Sequence, residues 1–304
     1  YYRNSLGRCL VDSNLFVRQD SESEIITSKS MENVFYANTI LNCQGTLNFR
    51  HGDKQVAINN FFLSNDEKYK GYGGMFIWGS KHIIAGNYFS LSKTLESRGN
   101  AAIYLNPGAE GTEHALAFNS IIANNMFINN NGYSIHFNPL EDQRKKLCKE
   151  NNLAYDVPHH ITIIGNSFSN SEQNSYSFFK DDHVDFDRKN QWVNNTYWGA
   201  QTGLPTLSGL KEIQPDFINR NGLNFIKTTT NQNSLYNLPG YYNSIEGIAL
   251  RFDEVINSPD KKPLSIEEIV PNWMMSNLGD YYITGQLQPE LKERLQRISV
   301  ERRE

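Results

Sequence analysis

The chain has only three cysteines in 304 residues, Cys9, Cys43 and Cys148. They are scattered, odd in number and without CxxC spacing, which excludes a disulfide framework and a zinc site of the usual spacing. They read as small buried hydrophobes. No apolar run approaches the ~18 residues of a spanning helix, so the chain reads as soluble, with no membrane partner. A basic surplus is also missing. The formal net charge is -4, which argues against a general nucleic-acid binder, and a polyanionic ligand would need a locally basic cleft. Residue 1 is Tyr, with no initiator Met and no charged-then-apolar leader. The chain is therefore expected to begin in mid-fold, and the missing signal peptide says nothing about export.

What the chain does contain is a repeat. An apolar residue, two or three positions, Asn, any residue and then an aromatic or apolar one recur in "VDSNLF", "VFYANTI", "VAINNFF", "IIAGNYF", "IIANNMF", "ITIIGNSF" and "WVNNTYW", centred on Asn14, Asn38, Asn60, Asn87, Asn125, Asn166 and Asn195. The intervals are 24, 22, 27, 38, 41 and 29 residues. They predict an all-β right-handed parallel β-helix, each coil giving short strands and turns, the longer intervals carrying inserted loops. Asn suits the corners because it tolerates αL, its side chain satisfies turn backbone, and stacked amides form ladders. A β-sandwich is the competing reading, and seven repeats weigh against it.

Residues 91–118 and 138–158 break the rhythm and are expected to be loops on the solenoid face. Coils carrying the active site are expected over 1–200, and final coils with a capping segment over 201–304. That segment holds a capping box, Ser265 to Glu268, and a terminal helix begun by Pro289.

In "SESEIITSKS", Glu22 and Glu24 lie two apart, so in a strand they project together. A bare ExE pair is ordinarily a solvated strand face. Two adjacent carboxylates can also share a hard cation, and calcium suits them. The repeat adds to this: Lys29 and Arg50 are 21 residues apart, close to the local coil interval, so they should be neighbours about 4.8 Å apart. A further 27 residues lands near Trp78. An acidic pair, a lysine able to act as base when crowded by cations, an arginine and an indole platform for a sugar ring suit β-elimination of a uronate-containing polysaccharide. Direct proton donation by Arg50 is awkward because a guanidinium keeps its proton, and a proton relayed from water serves equally.

The stretches "RQDSESEIITSKS", "LNCQGTLNFRHGDKQVAINNF", "GYGGMFIWGS", "SRGNAAIYLNPGA" and "EHALAF" resemble the chondroitinase B (dermatan sulfate lyase) branch of polysaccharide lyase family six. The likeness is nearly gap-free to about residue 150, with "SFFKDD", "IQPDF" and "IEGIAL" as later islands. The resemblance implies a calcium-dependent endolytic lyase that cuts dermatan sulfate next to iduronate and leaves an unsaturated uronate. It implies Lys29 as general base, Arg50 on the leaving-group side, and Glu22 and Glu24 as calcium ligands. His51 and Glu113 match active-site residues; Trp78, Arg98 and Arg144 match the substrate cleft, where arginines suit bidentate contacts to sulfate or carboxylate.

The chain departs from the family pattern in three ways. The third calcium ligand, an asparagine on the preceding coil, would lie before residue 1, together with several N-terminal coils. An Arg-Arg pair is replaced by Gln143-Arg144. The alginate lyases of the same family, the nearest alternative, commonly carry arginine where this chain has Phe76. A noncatalytic carbohydrate-binding β-helix is the alternative of another class, and it would not need Lys29. An enzyme of this kind is expected to be a monomer, secreted or periplasmic because its polymer is extracellular.

Overall fold

The structure, a computed structural model, describes residues 5–12, 14–20, 23–64, 71–112, 114–170, 176–181, 189–205, 208–220 and 223–226. Within these the chain winds as a parallel β-helix of three sheets, as the repeat predicted. One sheet has seven strands, from Leu10–Asp12 to Gln191–Val193, and a second has eight, from Leu15–Val17 to Leu210–Glu212. The third has six, running in order through Glu24–Ser28, Thr46–Phe49, Met75–Ile77, Ala101–Leu105, Tyr133–Phe137 and Phe179–Asp181. Every pairing in these three sheets is parallel, so each coil lays its strands on those of the coil before.

The repeated asparagines form one continuous ladder. The Oδ1 of Asn38 accepts both the backbone N–H and the side-chain amide of Asn14, at 3.0 and 3.1 Å. The same double contact runs from Asn38 to Asn60, then to Asn87, Asn125, Asn166 and Asn195, all at 2.9–3.0 Å. From Asn38 onward each amide also donates to a carbonyl one coil back, as Asn125 does to Ile84. The residue just before each of the last six asparagines is left-handed: Ala37, Asn59, Gly86, Asn124, Gly165 and Asn194. Gly86 (φ 63°) and Gly165 (φ 65°) take that slot without strain, and a Cβ there would also collide with Asn59 or Asn124 of the previous coil. Inside, Phe62, Phe89, Phe127 and Phe168 stack with centroids 4.7–4.8 Å apart, one aromatic per coil in the core that single coils cannot bury alone.

The insertions differ in part from expectation. Residues 138–158 contain the helix Glu141–Glu150, consistent with the charged run there. Residues 91–118 are not wholly loop: after a 3-10 turn at Glu96–Arg98, Ala101–Leu105 is a fully buried strand of the third sheet. The repeated Asn marks the corner between the first and second sheets, as Asn87 does between Ile83–Ala85 and Tyr88–Leu91, so the repeat did not mark this strand. Beyond residue 212 an antiparallel hairpin, Phe217–Arg220 with Leu223–Ile226, packs on the second sheet, where the Tyr88 hydroxyl donates to the Asn224 carbonyl at 3.0 Å. The capping box at Ser265 and the terminal helix lie outside the described residues.

His82 locks the turn beside the third sheet. Its Nδ1 accepts from the Gln55 backbone N–H at 3.0 Å, and its Nε2 faces the Trp78 carbonyl at 2.8 Å as donor. Burial pushes the imidazole down to about 4, against a partial upward pull from Asp53. Because the folded value lies below the ordinary one, the unfolded chain binds the proton more readily between about pH 6.5 and 4. Stability should therefore fall as pH drops through that window, by on the order of 3 kcal/mol at most. Urea unfolding across the window measures it, and His82→Gln should flatten the slope.

Candidate active site

The register of the third sheet assembles the site. Ser28 pairs with Phe49, and Phe49 with Ile77. Lys29, Arg50 and Trp78, each one residue beyond, therefore leave adjacent strands side by side. The N–H groups of Arg50 and His51 both donate to the Ser28 carbonyl, at 2.9 and 3.2 Å, and that of Trp78 to the Phe49 carbonyl at 3.0 Å. Side chains alternate across a strand. Phe49 and Ile77 point into the core, so Asn48 and Phe76 in the same strands point outward, in a row that continues through Tyr104 and His136.

Arg50 is anchored. Its Nη1 lies 2.7 Å from Glu24 Oε1, and Arg98 Nη2 is 3.7 Å from the same oxygen. The other Glu24 oxygen accepts from the Thr27 hydroxyl at 2.7 Å. Burial works to raise the Glu24 pKa, but the Thr27 hydrogen bond and the Arg50 and Arg98 charges outweigh it, holding the carboxyl below its ordinary range and ionised. Lys29 is exposed at the end of its strand.

Two arginines from distant segments close over the outward face. Arg98, at the end of the 3-10 turn, sets its guanidinium 4.5 Å from the Phe76 ring centroid and donates to the Ser23 hydroxyl at 2.6 Å. Arg144, in the helix rather than in a loop, sits 4.2 Å over Trp78. Burial lowers the Arg144 pKa first, and the charges of Arg98 and Arg50 lower it further, so the three guanidiniums converge.

Trp78 corrects the expectation of a sugar platform. It is 2% exposed, one face under Arg144 and an edge against His114, so it serves as a floor that orients a guanidinium. His114 had no assigned role in the sequence, yet its ring lies 5.1 Å from that of His51 and 5.0 Å from that of Trp78. Burial, then Arg50, His51 and Arg144, push it down to about 4, with Glu24 pulling the other way. It is uncharged at neutral pH.

Glu22 and Glu113 lie outside the described residues. Glu24 has the hard oxygens calcium takes, but both are engaged, and among the described residues no group of three or more His, Cys, Asp or Glu gathers as a metal site. The described residues alone do not fit a calcium ion.

The result is a cationic face on an acidic chain, with Lys29, Arg50, Arg98 and Arg144 around one described carboxylate. Such a face attracts a polyanion.

Comparison with solved structures gives the fold. A PL6 family alginate lyase, AlyGC, superposes with a TM-score of 0.61 at 24% identity, over 76% of this chain and 30% of that one. A complex of the alginate lyase AlyF-OU02 gives 0.58 at 20%, over 74% and 49%. A mannuronic acid specific family 6 lyase from human gut microbiota gives 0.51 at 18%, over 84% and 53%. The chain thus spans about a third to a half of these structures' length. No curated protein sequence matches it. A family model, Chondroitinase B, matches residues 1–234 of the 304. With that match over most of its length, the chain belongs to the chondroitinase B family.

Proposed function

We propose that the chain carries the catalytic centre of a polysaccharide lyase that cleaves dermatan sulfate next to iduronate by β-elimination. The observation that carries this reading is the rung in which Lys29 and Arg50 leave adjacent strands, with Arg50 tied to Glu24 at 2.7 Å and two further guanidiniums converging on the face. The Lys29 amine takes the C5 proton. The electron pair forms the C4–C5 double bond as the C4–O4 bond breaks, and a water-relayed proton goes to O4. Arg50, with His51 beside it, meets the charge that develops on the uronate carboxylate and leaving oxygen. Arg98 and Arg144 hold the carboxylate and sulfate groups of the polymer.

Calcium on Glu22 and Glu24 belongs to the proposal, as does action on an extracellular polymer by a secreted or periplasmic monomer. The ion, held by Glu22 and Glu24, would neutralise the substrate carboxylate. Equilibrium dialysis of calcium against wild type and Glu24→Gln measures this, with binding lost in the variant.

Dermatan sulfate, chondroitin sulfate and alginate, assayed in parallel with the full-length protein for ultraviolet-absorbing ends, test the reading. Dermatan sulfate should be the preferred substrate. Alginate is the substrate of similar family 6 lyases, and a preference for it here would reverse the assignment; binding with no product from any polymer would make the site noncatalytic. Arg144→Ala should raise KM about tenfold with a smaller change in kcat, because it removes one anion contact.

A further inference from the structure

The group the proposed reaction leaves unused is His114. It sits on the segment joining Ala101–Leu105 to the next coil, and this segment is stitched to the catalytic rung. The Ala117 N–H donates to the Asn106 carbonyl at 2.8 Å, the Gly79 N–H to the Ala115 carbonyl at 2.9 Å, and the Phe118 N–H to the Gly79 carbonyl at 3.1 Å. Gly79 directly follows Trp78, so the backbone holds the His114 ring against Trp78 and His51 whatever its charge.

Its surroundings decide its state. The charged and titratable groups that act on it are Arg50 and His51 from the turn after Thr46–Phe49, Arg144 from the helix, and Glu24 from the first strand of the sheet. Its neighbour Glu113 lies outside the described residues. In the free protein burial, and after it the neighbouring cations, outweigh the single described carboxylate, so a further positive charge at this spot is disfavoured. An anion placed among the guanidiniums offsets their charge and shifts the balance toward the protonated ring, because each opposite charge within a few ångströms favours it.

We propose that His114 is a positioning residue for the anionic substrate: uncharged in the free protein, it braces Trp78 under Arg144, and it takes up a proton when a carboxylate or sulfate settles on the arginine cluster. Substrate binding is then linked to proton uptake, and acidification tightens binding even as it slows proton abstraction. The inference rests on the lyase reading only in taking this face as the one that binds the anionic polymer.

The test measures dermatan sulfate oligosaccharide binding by calorimetry to the full-length protein carrying Lys29→Ala, which stops turnover, with and without His114→Gln. Glutamine keeps a polar side chain of similar reach but cannot take a proton. At pH 8 the two proteins should bind within about twofold of each other. At pH 5 the protein that retains His114 should bind about tenfold tighter, which for a ring that starts at about 4 requires binding to raise its pKa by about two units, and should take up protons, read from two buffers of different ionisation enthalpy. Equal weakening by His114→Gln at both pH values would mean a purely structural brace and would overturn the proposal. So would proton uptake that persists in His114→Gln and vanishes in His51→Gln. Tight, pH-independent binding by both proteins sinks the proposal but leaves the lyase reading standing, whereas turnover by the Lys29 protein sinks the catalytic assignment and leaves His114 to be judged on the binding data.

Discussion

Lys29→Ala should lower the rate of unsaturated-end formation by about a hundredfold to ten-thousandfold while leaving folding and polymer binding close to wild type. The size follows from what a positioned general base contributes, about 10² to 10⁴, with little else in the rung able to replace it. Arg50 keeps its proton and Glu24 is engaged by Arg50 and Thr27. The selectivity follows from position. Lys29 is exposed, one residue past the strand Glu24–Ser28, so its removal opens no cavity and breaks no ladder bond. Lys29→Arg should be equally inactive, since a guanidinium retains the charge and cannot accept a proton. Steady-state rates with intact thermal melts give the reading, and near-normal turnover in Lys29→Ala would remove the proposed base.

The second large effect is on stability. Asn125→Ala should destabilise the solenoid by about 3–5 kcal/mol. The Asn125 Oδ1 accepts two donors from Asn87, both at 2.9 Å, and its amide donates to the Ile84 carbonyl and to Asn166, also at 2.9 Å. All three asparagines are 0–1% exposed, so water cannot replace the lost partners. Each buried polar group left unpaired costs about 1–3 kcal/mol, and two or more are orphaned at once. Asn151→Ala makes the contrast: its amide donates to the Leu147 carbonyl in the open, and its loss should cost under about 0.5 kcal/mol. Denaturant midpoints of the two variants measure the difference.

The same ladder explains why the fold was legible. A parallel coil returns each corner to the same place, so a residue required once is required every turn, and all seven asparagines of the repeat join the ladder. The Lys29–Arg50 rung was legible for the same reason, because their separation of 21 residues equals the Ser28-to-Phe49 register. What the repeat could not show is what lies on top of the sheet. Arg98 and Arg144 reach the rung from insertions, a 3-10 turn and a helix, whose placement follows tertiary packing rather than period. Trp78 consequently read as an open platform when it is a covered floor. His114 carried no spacing signal at all, since its segment joins the rung through backbone bonds from Gly79 and Asn106.

The central claim is that this rung eliminates rather than hydrolyses, and the most direct measurement is digestion of dermatan sulfate by the full-length protein in heavy-oxygen water, with the products weighed. Elimination predicts a C4–C5 double bond at each new non-reducing end and no solvent oxygen in either fragment beyond the slow exchange of the reducing end. Saturated products that carry one solvent oxygen per cleavage would contradict it.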